Sequence, residues 1–134
     1  MQPYERPMRA DVRKVLLVGM LSSSLLAPGC TTAPSAEKLA LARNAVAESP
    51  TLRKKAIDDC TTKIAATDPV NLKLMSDLAR VPLTEYPRFA CERFTNAWIN
   101  GTIPDEMFQR FSTRTLTAED NAKIARIVTG LDPG

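Results

Sequence analysis

The chain contains no histidine. That removes Ser-His and Cys-His dyads and any imidazole metal ligand. Glycine is scarce, at 5 residues in 134, and no glycine-rich phosphate-binding loop is present. The marks of strands, sustained apolar–polar alternation and clusters of β-branched residues, are also missing. No apolar run reaches the roughly 20 residues that a membrane span needs. The three cysteines contain no CxxC pair, which weakens a redox reading. Finally, no strong charge of one sign exists. The net charge is +3, and much of that excess lies near the N-terminus, where Arg6, Arg9, Arg13 and Lys14 face only Glu5 and Asp11. The remainder is nearly balanced and offers no field to gather phosphates, so nucleic acid is not an expected partner. No metal and no organic cofactor are expected either.

What is present begins with a leader. A basic stretch ends at Arg13-Lys14, a mostly apolar run follows from Val15 to Leu26, and small residues close it at Ala27-Pro28-Gly29. That is the layout of a secretory signal peptide. Translation from Met8 instead of Met1 gives a more usual leader length. The length of the whole chain fits one domain.

Leu26-Ala27-Pro28-Gly29-Cys30 resembles the lipobox of bacterial lipoproteins. The resemblance covers the leader and this cysteine only. It implies that residues 1–29 are a signal peptide and that the chain is cut just before Cys30. The Cys30 thiol then carries diacylglycerol, and the new amino terminus carries an acyl chain such as palmitate. Two or more acyl chains make a stable anchor where one is marginal. In Gram-negative members of the family an Asp after the cysteine retains the protein at the inner membrane. Thr31 at that position implies the outer membrane, facing the periplasm. The alternative is an ordinary leader cut after Ala33 or Ala36, which gives a soluble periplasmic or secreted protein.

Residues 30–36 read as the lipidated cysteine and a short tether, and residues 37–134 as a helical domain. The punctuation is helical throughout. Ser35 caps a first helix from about Ala36 to Glu48. Ser49-Pro50 and Asp68-Pro69 each pair a cap with a proline at the first helical position, where a missing N–H costs nothing. Helix two, to about Ala66, gathers Leu52, Ala56, Ile57, Cys60 and Ile64 on one side, with Lys54, Lys55, Asp58 and Asp59 opposite. Helix three, to about Arg80, offers Leu72, Met75 and Leu78. Helix four spans about Glu85 to Asn100 and carries Tyr86, Ala90, Cys91, Phe94, Ala97 and Trp98 on one face, with Asn100-Gly101 as its stop. Pro104 begins a short fifth helix with Met107, Phe108 and Phe111. Thr117 to Asp120 resembles a capping box that opens a sixth, which presents Ile124, Ile127 and Val128 and stops at Gly130. The fold class is therefore all-α, a small bundle of about five to six short helices. Every aromatic after Tyr4 falls between residues 86 and 111, so the core centres there.

Cys60 and Cys91 both project from apolar helix faces. Assigning Cys30 to lipid leaves them as an even pair in an oxidising compartment, which predicts a disulfide between helices two and four. Two unpaired core thiols are the alternative, with a redox pair ranking third. Asp58-Asp59 and Asp105-Glu106 are adjacent on helices and diverge by about 100°. Lys54–Asp58 and Lys55–Asp59 have ion-pair spacing, so this acidic pair reads as a solvated face. Asn100-Gly101-Thr102 has a glycosylation pattern but reads as a helix stop. Phe89, with Arg93 and Asn96, lies opposite Phe94 and Trp98. Another helix covers it, or it marks an interaction surface of the aromatic-plus-arginine kind.

With no catalytic residue marked, the expected function is a lipid-anchored, non-catalytic domain that binds another envelope component, as an accessory or inhibitory lipoprotein. A small envelope hydrolase would instead need carboxylates such as Asp58, Asp59, Glu85 and Glu92 to converge. A membrane-active stress lipoprotein is the third reading.

Overall fold

The computed structural model describes residues 33–132. Among them are six helices and no strand: α1 (Ala36–Glu48), α2 (Pro50–Ala65), α3 (Pro69–Ala79), α4 (Tyr86–Ile99), α5 (Asp105–Thr113) and α6 (Ala118–Val128). The protein is a small all-α bundle.

Local chemistry accounts for most boundaries. The hydroxyl of Ser35 accepts from the backbone N–H of Lys38, that of Ser49 from Leu52, and the carboxylate of Asp68 from Val70. Each satisfies a helix donor that would otherwise lack a partner. Thr117 and Asp120 complete a reciprocal capping box, with bonds of 3.1 and 3.0 Å. Asp therefore closes the box where Glu or Gln is usual. Pro104 differs from its expected place: it is the N-cap of α5, in extended conformation, and Asp105 is the first helical residue. Gly101 and Gly130 follow α4 and α6 at φ of 81° and 79°. By contrast α3 and α5 end on Arg80 and Arg114, both left-handed without being glycine, a conformation that disfavours a Cβ.

Helix α4 is the hub, packing against α1, α2, α3 and α6. Its buried face carries Tyr86, Ala90, Cys91, Phe94, Ala97 and Trp98. Trp98 stacks on Phe108 with centroids 4.1 Å apart, and Phe94 lies 4.8 Å from Phe111. Ile127 of α6, Met107 of α5 and Ile103 of the intervening loop fill the remainder of this core. Ile103 is held by its own N–H, which donates to the carbonyl of Ala97 at 2.9 Å.

Polar links tie the aromatic core to its surroundings. The Trp98 indole N–H donates to Asp105 at 3.2 Å, and Arg43 of α1 pairs with the same carboxylate at 3.1 Å. Arg110 grips Asp120 through two bonds of 2.7 Å. The Arg110 guanidinium, with the Thr117 backbone and hydroxyl, holds the Asp120 carboxyl well below the usual carboxylate range.

Cys60 and Cys91 form a disulfide, with Cα atoms 5.8 Å apart, inside the normal range for the bond. It joins α2 to α4 across 31 positions of sequence.

Two expectations about burial need correction. Leu52 and Leu78, read as core-facing, are exposed. Leu52 lies in the first turn of α2. Leu78 shares the outer side of α3 with Val70 and Leu74, one helical turn apart in each case. Helix α3 is apolar on two sides but has a principal neighbour on only one, α4.

Candidate functional site

A cleft of about 310 Å³ opens between α2, α3, α4 and the ends of α5 and α6. Its origin is legible in the residues. On α4, Tyr86, Ala90 and Phe94 follow at i, i+4 and i+8 and so share one side of the helix. Ala90, lacking a side chain beyond Cβ, leaves a gap between the two rings. Cys60 and Ile64 form the α2 wall at the same spacing, and the disulfide contributes both of its sulfur-bearing residues to the lining. Leu72 and Met75, the inner side of α3, form the facing wall. Ile124 and Val128 of α6 close one end beside Phe111, which stands half out of the protein at the rim.

A second lobe of about 210 Å³ shares Cys60, Ile64, Phe94 and Phe111 with the first and extends along Trp98 and Phe108. Asp59 and Lys63 are the charged residues of the second lobe; the first has only Thr67, Asn71 and Tyr86 as residues with polar side-chain groups. The Thr67 hydroxyl is taken, donating to the carbonyl of Ile64 at 2.7 Å. Burial pushes the Tyr86 phenol up from its ordinary pKa of 10.0, so it is a neutral donor at physiological pH.

The residues singled out from sequence fall elsewhere. Phe89 and Arg93 are engaged with the end of α6. The Arg93 guanidinium donates to the carbonyl of Ile127 at 2.6 Å and to that of Asp132, and lies over the Phe89 ring. A Cβ on Gly130 would stand 3.5 Å from the Phe89 ring. Arg93 thus caps the C-terminus of α6 with the half-buried Phe89 ring packed beside it, while Asn96 is exposed. Cys30 and the leader lie outside the described residues.

The carboxylates of the hydrolase alternative line no part of the first lobe. Asp58 pairs with Lys54 and Arg88, Asp59 with Lys55, and Glu92 with Arg88. These pairs stand on the exposed surface of α2 and α4, where Lys54 and then Arg88 hold the Asp58 carboxyl below its ordinary value. Glu85 is exposed. Asn100 accepts from the backbone of Thr102 at 3.0 Å around left-handed Gly101, a helix stop. Among the described residues no group of three metal-ligating side chains comes together, and no helix is long and apolar enough to cross a membrane.

Sequence reasoning missed the cleft because its walls look like ordinary core stripes. The one available signal was α3, whose Val70, Leu72, Leu74, Met75 and Leu78 are too many for a single buried side. No family model matches the chain, and no curated protein or solved structure is detectably similar to it.

Proposed function

We propose that this chain is a lipid-anchored binding module of the bacterial envelope, carried on the outer membrane by Cys30, with the apolar cleft as its binding site. The observation that carries the reading is the cleft itself: a preformed concave site of the size that holds ligands, lined almost wholly by apolar side chains. Accessory or inhibitory action through a bound envelope component fits that lining better than hydrolysis, which needs titratable groups placed around a reacting bond. The outer stripe of α3 supports the same reading, since solvent-facing leucines in a row are suited to contact.

Two measurements test the parts separately. For the anchor, the mass of the mature N-terminus is expected to be that of acylated, diacylglyceryl-modified Cys30. Cleavage after Ala33 or Ala36 with no lipid overturns it. For the binding site, a photo-crosslinking residue replacing Phe111 at the rim is expected to capture an envelope component in intact cells. The same residue replacing Asn121, an exposed position on α6, is expected to capture none. Equal capture at both positions, or none at Phe111, overturns the assignment of the cleft.

A further inference from the structure

We infer that the cleft takes a single neutral alkyl or acyl chain of about a dozen carbons, with one oxygen head group received by the Tyr86 hydroxyl. The inference rests on the cleft being the binding site and is independent of the anchor.

The lining excludes most ligand classes. A peptide strand or helix end laid in the first lobe would leave backbone groups facing Ile64, Leu72, Met75 and Ile124 with no partner, at a cost of a few kcal/mol each. Sugars and nucleotides face the same penalty many times over. An anion is disfavoured for a separate reason: no Lys or Arg lines the first lobe. What is left is an apolar body.

Size narrows it further. An apolar cavity of about 150 Å³ holds one benzene ring, six carbons. By that measure the 310 Å³ of the first lobe holds about twelve carbons. That volume admits one medium-length chain and is too small for a large fused-ring body.

Tyr86 supplies the polar end. The residue is only 3% exposed, yet no described residue hydrogen-bonds its hydroxyl. Among the described residues no side-chain nitrogen or oxygen is both sealed off and unpaired. The hydroxyl is therefore not sealed off, and Tyr86 is among the residues that line the cleft. A phenol in an apolar wall with an unused donor is a recognition point for one ligand oxygen, an alcohol or an ester carbonyl.

The test titrates straight-chain alcohols into the full chain carrying Cys30→Ser, so that no acyl group of its own competes. Isothermal titration calorimetry reads the binding directly. Saturable one-to-one binding is expected, tightening about fourfold per methylene from hexanol onward and levelling off near dodecanol. Dodecanoate at neutral pH is expected to bind at least tenfold more weakly than dodecanol. Tyr86→Phe, which keeps the ring and the packing, should weaken dodecanol about threefold to tenfold and leave the chain-length slope unchanged. Ala90→Leu, which fills the gap between the two rings, should abolish the dependence on length while the helical circular dichroism stays native. Binding indifferent to chain length, or unmoved by both variants, overturns the inference. If no alcohol binds while a crosslinker at position 111 still captures an envelope protein, the chain-binding inference falls and the binding-module reading stands.

Discussion

The two sides of α4 are built differently. Toward α5 and α6 lie stacked rings, fully buried isoleucines, a two-pronged Arg110–Asp120 pair and a complete capping box. Toward α3 there is a cleft, and beyond it a helix whose Val70, Leu74 and Leu78 are 74%, 56% and 50% exposed. Stability and binding draw on opposite features: the first wants close packing, the second wants surface left uncovered. The contrast teaches that α4 is held by α2, α5 and α6 and only lightly by α3, and regions of few buried contacts are the first to open.

Breaking the packed side should produce the largest effect. Trp98→Ala removes the ring stacked on Phe108 and the N–H that donates to Asp105, leaving that carboxylate with Arg43 alone. A loss of about 3–5 kcal/mol is expected, enough to unfold a domain of this size at modest temperature. Urea denaturation read by circular dichroism checks it. A loss below about 1 kcal/mol would mean that the aromatic core is not where stability resides.

The disulfide, which joins α2 to α4 beside the cleft, comes next. Joining residues 31 positions apart, it removes loop entropy from the unfolded chain worth roughly 3–4 kcal/mol. Cys60→Ala/Cys91→Ala should lower stability by about that amount while the six helices persist. Alkylation of native protein should find no free thiol at either position. Because Cys60 also lines the cleft, reduction is expected to alter the titrations above as well as the melting curve.

Much of this architecture is legible before any coordinates. Ser35, Ser49, Asp68 and Thr117 mark helix starts because their hydrogen bonds reach only two or three residues along the chain. Two apolar stripes make the pairing of Cys60 with Cys91 the leading reading of the sequence, with unpaired core thiols as the alternative. Other features depend on neighbours brought from afar. Ile103 is buried in a loop, Asp105 joins α1, α4 and α5, and Arg93 crosses from α4 to cap α6. Periodicity could not say which of α3's two apolar sides would be covered, since either would satisfy the pattern. The cleft depends on that choice, and on Ala90 standing between two rings.

Acid sharpens the comparison on a smaller scale. The folded protein holds the Asp120 carboxyl well below its ordinary value of 3.8, chiefly through Arg110. A group depressed in this way lends stability that is fully present above its unfolded pKa and is lost as pH falls toward the folded value. Stability measured from about pH 5 down to about pH 2 should therefore fall. Asp120→Asn should be less stable at neutral pH and show a shallower acid decline. Identical pH profiles for the two proteins would show that the Arg110–Asp120 pair contributes nothing to the packed side.

The smallest effect is expected on α3, and its smallness is the point. Leu74→Ser exposes a hydroxyl where a leucine already faces solvent, so the change in stability should stay within about 0.5 kcal/mol. Hydrogen exchange provides the companion measurement. Amides of α3 should exchange through local opening and well ahead of those of α4, because α3 packs chiefly on α4 and its outer side is uncovered. If Leu74→Ser costs as much as a core substitution, or if α3 and α4 exchange together, then α3 belongs to the same cooperative unit as the aromatic core. In that case its outer leucines are covered by something in solution, and the contrast across α4 is lost.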